Sequence, residues 1–244
     1  MSSPLALITG AASGIGLAAA RRMAGEGWRL LLCDIDAAGL ERAAAELGAE
    51  AVPLDISDVP AVREAAARLL ERHGSVEAVV VCAGISGHGL PFEKVDEAAF
   101  DAMLGTHLKG HFFLLQAFAP AMAAAGGGAM VLVSSLFALR GSPNMPHYTA
   151  AKGALLGLGR ALAVELGPRN IRVNVVAPGL IRTPMTEKSA GYDKDFFTRR
   201  ETVIPLRRLA TPEDVAASIA FLASPAAASL TGQCLSPSGG EAFT

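Results

Sequence analysis

Short, nearly continuous apolar runs alternate along the chain with longer segments whose apolar residues recur at helical spacing. The strand-like runs are Leu5–Thr9, 29–33, 51–54, 78–82, 129–133, 172–176 and a short 233–236. Helical patterns lie between them, among others Gly14–Gly25, 61–73, 97–124, 147–167 and Pro212–Ala223. Strands without polar alternation are buried on both faces, and the intervening helices supply the cover. The pattern predicts an α/β fold, a doubly wound parallel sheet of about seven strands with right-handed crossovers and ligands at the strands' carboxyl ends. Only 185–208 breaks the rhythm: it is charge-rich and carries Tyr192, Phe196 and Phe197.

Composition narrows the function classes. Hydrophobic residues make up 51% of the 244 positions, ample for a core, and the net charge is −2. With no basic run, nothing invites nucleic acid or an anionic membrane. Cys33, Cys82 and Cys234 are far apart and lack metal-ligand spacing, so no metal site is expected. Reduced thiols in a cytoplasmic protein fit best. Two uncharged stretches invite a membrane reading. Residues 1–20 lack a charged n-region and are broken by glycine and serine. Residues 112–139 exceed the roughly 20 needed to span, but Pro120 and Gly126 to Gly128 divide them into helix, loop and strand.

Candidate chemistry begins after the first strand, in Thr9-Gly10-Ala11-Ala12-Ser13-Gly14-Ile15-Gly16. Glycines permit positive φ and let a backbone approach a ligand closely. The helix that follows turns its unpaired N–H groups and positive end toward the loop, which suits a pyrophosphate. The second apolar run ends at Asp34. An acid there is placed to bind both ribose hydroxyls of an adenosine and to repel a 2′-phosphate.

A second constellation is Ser135, Tyr148 and Lys152. Tyr148 and Lys152 are four apart within a helical pattern and share a face. A phenol near ~10 is a poor base at neutral pH, and a neighbouring ammonium favours its ionised form. Ser135, just past the 129–133 run, is positioned to hydrogen-bond a substrate oxygen. The set comprises a general acid/base, its tuner and a polarising donor.

Together these residues resemble the classical short-chain dehydrogenase/reductase family, from Thr9 to Gly240. Its glycine spacing, Gly10-x-x-x-Gly14-x-Gly16, differs from the commoner G-x-G-x-x-G. Asp55, Ala83-Gly84, Asn174, Pro178-Gly179, Thr183, Thr211-Pro212-Glu213-Asp214, Thr231-Gly232-Gln233 and Gly239-Gly240 are further matches. Because the motifs interleave across the chain, one Rossmann-type domain over 1–244 is expected, with a substrate lid around 185–208.

The resemblance implies hydride transfer between a nicotinamide and a secondary alcohol or ketone. Tyr148 exchanges the hydroxyl proton, Lys152 tunes the phenol and binds the nicotinamide ribose, and Ser135 holds the substrate oxygen. It also implies cofactor contacts from Gly10, Ser13, Gly14, Ile15, Gly16, Asp34, Asp55, Ile56, Ala83, Gly84, Pro178, Gly179, Ile181 and Thr183. Asp34 and Ser13 favour NAD over NADP, and Ile35 offers nothing to a 2′-phosphate. Relatives are commonly tetramers, so a homotetramer, or a homodimer, is expected.

Two departures stand out. His107 occupies the position where the family usually has the Asn of a Ser-Asn-Tyr-Lys tetrad, either as a proton-relay group titrating near ~6.5 or as a hydrogen-bonded spacer. The usual Asn-Asn-Ala-Gly is Val81-Cys82-Ala83-Gly84. Pocket candidates are Phe137, Asn144, Met145, His147, Leu180 and Met185, with His88 and Glu93 nearby. They are mostly apolar, with no arginine fork evident, which points to a neutral or amphiphilic substrate. The alternatives are a 3-oxoacyl-thioester reductase of the acyl-carrier type and a non-catalytic nucleotide-binding regulator.

Overall fold

Seven parallel strands form one sheet in the order β3-β2-β1-β4-β5-β6-β7 in the computed structural model, which describes residues 3–87, 89–187 and 195–244. They are β1 (Leu5–Thr9), β2 (Arg29–Asp34), β3 (Glu50–Pro53), β4 (Ala78–Val81), β5 (Gly128–Val133), β6 (Ile171–Val176) and β7 (Cys234–Leu235). Their bounds lie within two residues of those the apolar runs predict. Strand order reverses at β1, whose end Thr9 pairs with Cys33 of β2 on one side and Val81 of β4 on the other. The crevice at this switch point is where such sheets bind ligands.

Alternate side chains of each strand feed opposite cores. Leu7, Leu31, Val79, Met130 and Leu132 pack with Leu69, Leu114, Phe118 and Leu155. These come from α3 (Val59–His73), α5 (His111–Ala124) and α7 (Pro146–Leu166). Ile8, Leu32, Val80 and Val131 pack with Ala19, Met23, Leu40 and Ile219 on the other face. That face is covered by α1 (Gly14–Gly25), α2 (Ala37–Leu47) and α10 (Pro212–Ala223). Each large side chain buried this way contributes about 1.5–3 kcal/mol. Asn174 secures the short β7: its amide donates to the Leu230 carbonyl at 2.8 Å and its oxygen accepts from Gln233 N at 3.0 Å.

The run 97–124, read as one helix, is α4 (Glu97–Leu104), a π-helical turn Gly105–Gly110 and α5. A π turn adds a residue to the hydrogen-bonded ring and re-aims the side chains around it. Gly110 permits the helix to run against the turn after β3, because a Cβ there would stand 2.1 Å from the Ile56 carbonyl oxygen. The remaining helices are α6 (Phe137–Arg140), α8 (Pro184–Glu187) and α9 (Phe196–Glu201). Tyr192, His88 and the Met185 side chain lie outside what is described. Among the described residues, no helix is long and apolar enough to cross a membrane and no cluster of three His, Cys, Asp or Glu is disposed to hold a metal.

Candidate active site

The glycine loop closes over the β1–β4 switch point by backbone contact. Gly10 has φ +69°, and a Cβ on it would lie 2.8 Å from Ala83 N; one on Gly16 would lie 2.1 Å from the Gly10 carbonyl oxygen. Neither position accommodates a side chain. Helices α2, α3, α4 and α10 are capped by the side chains of Asp36, Asp58, Asp96 and Thr211, whereas Ser13 makes no such bond to α1. Ser13, Gly14, Ile15 and Gly16 line the cleft, so the uncapped start of α1 opens onto it, which suits an anionic ligand.

Asp34 closes the far end of this cleft. Its Oδ2 accepts from Ala12 N at 2.9 Å and its Oδ1 from Asp36 N at 3.0 Å. The carboxylate is thus locked between the glycine loop and the β2–α2 turn. The cleft, about 400 Å³, is also lined by Ser13, Gly14, Ile15, Asp55, Ile56, Ala83, Gly84, Tyr148, Lys152 and Thr183. Pro178, Gly179 and Ile181 line instead an adjoining pocket of about 130 Å³, which shares Ile15, Ser134, Tyr148 and Thr183 with the cleft. Thr186, which the sequence did not single out, clamps the turn between them. Its hydroxyl donates to the Ile181 carbonyl at 2.7 Å and accepts from Thr183 N at 2.9 Å. These residues fit a dinucleotide: glycines for close approach, an open helix N-terminus for the diphosphate, an acid for the adenosine ribose.

Ser135, Tyr148 and Lys152 meet where cleft and pocket join. Strand β5 fixes Lys152 at both ends: Nζ donates to the Val133 carbonyl at 2.8 Å, and Ser134 Oγ donates to the Lys152 carbonyl at 2.8 Å. The ammonium lies 5.9 Å from the Tyr148 ring centre. Burial pulls the Lys152 amine down to about 8. Ser135, 8% exposed, turns its hydroxyl oxygen to Phe137 N at 3.2 Å, leaving its proton for the pocket.

His107 lies on the π turn, buried beside Tyr148, with ring centres 5.4 Å apart and planes at 85°. Its Nε2 is 3.1 Å from Ile85 N and 2.9 Å from Ile85 O, while Nδ1 is buried without a hydrogen-bond partner among the described residues. Burial first, and the Lys152 charge second, hold this imidazole neutral, well below its usual range. His111, four residues on and fully buried, escaped sequence reasoning. Its ring sits beside the main chain of Ala83 and His107, yet neither nitrogen has a well-aligned partner among the described residues, and burial lowers it to about 3. The one sequence signal was a second histidine four residues after His107.

Phe137, Met145 and Leu180 line the smaller pocket as expected, joined by Ser86 and Gly87. Asn144 and His147 do not line it. Asn144, at φ +59°, accepts from Leu90 N at 2.8 Å, and His147 packs under Gly87, so both brace the loop that forms the pocket's rim. Glu93 is exposed in a 3₁₀ turn.

Comparison with known proteins agrees with this geometry. The family model described as enoyl-(acyl carrier protein) reductase matches residues 10–241. The chain is 36% identical to a 3-oxoacyl-[acyl-carrier-protein] reductase of Thermotoga maritima, covering 98% of each chain. It is 40% identical to a galactitol 2-dehydrogenase of Cereibacter sphaeroides, covering 96% of this chain and 93% of that one. A 3-ketoacyl-(acyl-carrier-protein) reductase of Brucella melitensis, solved with NADH, superposes with a TM-score of 0.92 at 34% identity, covering 98% of each. With glycine loop, serine, tyrosine and lysine assembled on this sheet, the chain belongs to the classical short-chain dehydrogenase/reductase family.

Proposed function

We propose that the protein is an NAD(H)-dependent oxidoreductase that interconverts a secondary alcohol and its ketone. The observation that carries this reading is the convergence of Ser135, Tyr148 and Lys152 at the junction of a dinucleotide-shaped cleft and a small apolar pocket. NAD, when bound, supplies the hydride acceptor. Tyr148 takes the substrate hydroxyl proton in oxidation and returns it in reduction. Lys152 places a positive charge beside the phenol and toward the nicotinamide ribose. Ser135 donates to the substrate oxygen, favouring the charge that develops there.

The diphosphate is held by Gly10, Ser13, Gly14, Ile15 and Gly16, with Asp55, Ile56, Ala83 and Gly84 along the walls of the cleft. Pro178, Gly179, Ile181 and Thr183 sit at the carboxamide end. Asp34 selects NAD, because a 2′-phosphate would approach a fixed carboxylate. His107 acts as a positioning residue: it ties Ile85 and braces the edge of Tyr148. The stretch 185–208, of which 188–194 lie outside the described residues, serves in this reading as the substrate lid of a single domain, and the enzyme works in the cytoplasm as a homotetramer or homodimer.

Two relatives bear on the substrate. Galactitol 2-dehydrogenase supports a polyol or simple secondary alcohol, and 3-oxoacyl-[acyl-carrier-protein] reductase supports an acyl-thioester ketone as the second reading. A regulator without turnover is disfavoured by the complete Ser135, Tyr148 and Lys152 set. Absorbance at the reduced-nicotinamide band, with NAD or NADP and a panel of polyols, apolar secondary alcohols and 3-hydroxyacyl thioesters, separates the readings. Turnover with NAD on any alcohol supports the proposal; tight NADH binding without turnover across the panel favours the regulator.

A further inference from the structure

Glu241 belongs to the C-terminal tail, yet its side chain is only 5% exposed and is shared by arginines from two distant segments. Oε1 accepts from Arg200 of α9 and lies 3.6 Å from Arg140 of α6. Oε2 is buried and has no hydrogen-bond partner among the described residues. Both segments border the pocket: Phe197 of α9 packs in one cluster with Leu180, which lines it. Helix α6 starts two residues after Ser135, and the Arg140 guanidinium lies 5.5 Å from the ring centre of Phe137, a pocket-lining residue. Gly179, another lining residue, is so close that a Cβ on it would stand 3.4 Å from Glu241 Oε2.

The tail is held against α9 by its backbone. Gly239 and Gly240 adopt φ of +67° and +95°, and Cβ atoms there would lie 2.6 Å from Ile204 Cγ2 and 2.9 Å from Pro205 Cγ. Leu206 N donates to the Gly239 carbonyl at 3.1 Å. Substitution-proof glycines thus press the tail onto the chain leaving α9 and deliver Glu241 to the two arginines. An exposed ion pair contributes little. Here the carboxylate is buried, so removing the Arg200 guanidinium leaves it with Arg140 alone, 3.6 Å away, and costs more than breaking an exposed pair.

We propose that Glu241 is a positioning residue for the substrate. It clasps α9 to α6 across the tail and so holds the outer wall of the pocket against Ser135 and Tyr148. This assignment rests on the oxidoreductase reading of that pocket, but its first test needs no substrate. Hydrogen–deuterium exchange is followed in the NADH complexes of wild type, Glu241→Gln, Arg200→Met and the double variant. The amides of 196–204 will exchange about ten-fold faster in each variant, equivalent to about 1.4 kcal/mol of local stability. The double variant will exchange no faster than either single one, and the β4 and β5 amides will keep the wild-type rate.

Kinetics supply the second readout. With any alcohol that wild type oxidises, Glu241→Gln raises KM about ten-fold, with kcat and NADH affinity within about two-fold of wild type. Unchanged exchange over 196–204 overturns the proposal. So does a rise spread over the whole sheet with kcat, KM and NADH affinity impaired alike, which would make Glu241 a folding contact only. Absence of turnover in wild type would count against the oxidoreductase reading and leave the exchange result standing.

Discussion

Lys152 Nζ donates to the Val133 carbonyl at 2.8 Å inside the protein, with no carboxylate beside it among the described residues. The ammonium is therefore held by a main-chain dipole at the end of β5, and its burial is unrelieved by an opposite charge. In the proposed reading that arrangement serves Tyr148 and the cofactor at the expense of stability. Lys152→Met will abolish turnover yet stabilise the cofactor-free protein at pH 7.

The sign follows from proton binding. At pH 7 folded and unfolded chains both hold the Lys152 proton, so the full burial penalty is present. Between about 8 and 10.5 the unfolded chain holds more protons and wild type gains stability with pH. The gain of Lys152→Met is on the order of 2 kcal/mol at pH 7, from a shift of about 1.4 kcal/mol per unit less the lost hydrogen bond. It will shrink above pH 8. Denaturant melts at pH 7 and 10 check this; a destabilised variant at pH 7 contradicts it.

Asp34 is fixed by Ala12 N and Asp36 N, so it cannot swing away from a 2′-phosphate. Asp34→Ala will relax the preference for NAD over NADP by about ten-fold or more, the worth of one charged contact. The ratio of kcat/KM for the two cofactors measures it. An unchanged ratio would show that Asp34 does not face the ribose.

A Cβ on Gly84 would lie 2.3 Å from His107 Cε1. Gly84→Ala will therefore displace His107 and destabilise the protein by about 1–3 kcal/mol, and adding His107→Asn will restore much of the loss. Because burial and Lys152 keep His107 neutral, His107→Asn alone will leave the acidic limb of the pH–rate profile above pH 6 unmoved. A shifted limb would place His107 in the proton relay instead.

His111 offers a stability test. Folding lowers its titration from 6.5 to about 3, with desolvation dominant and Lys152 adding to it. Below 6.5 the unfolded chain binds the extra proton, so stability falls as pH falls, by about 1.4 kcal/mol per unit until about pH 3. His107, and less strongly His147, push in the same direction. His111→Leu removes one proton from that linkage, so its stability will fall less steeply between pH 6 and 4. Equal slopes for variant and wild type would contradict the burial of a neutral imidazole at 111.

Much of this was legible because its signals are local. Short apolar runs such as 129–133, preceded by glycines and rich in valine, read as doubly buried strands, and Tyr148 with Lys152 needs only helical spacing to share a face. The glycine loop announces itself by residues that no side chain can replace. What was hidden depends on contacts between distant segments. Gly105 and Gly110 flank the π turn, but only the Ile56 carbonyl against Gly110 reveals why the helix deviates there. His111 reads as an ordinary helix residue until its neighbours are placed. Glu241 gave no sequence signal, since its partners are 41 residues away at Arg200 and farther still at Arg140. Asn144 and His147 sat near Tyr148 in sequence, yet they brace a loop rather than line the pocket.

The central claim is that Tyr148 moves the proton while the cleft binds the cofactor independently. The most direct measurement is NAD reduction by Tyr148→Phe beside wild type on the best alcohol, with NADH binding followed in parallel. Turnover will fall at least about 10³-fold, within the usual range for losing a general acid/base, while NADH affinity stays within a few-fold of wild type. Near-normal turnover in Tyr148→Phe would contradict that claim.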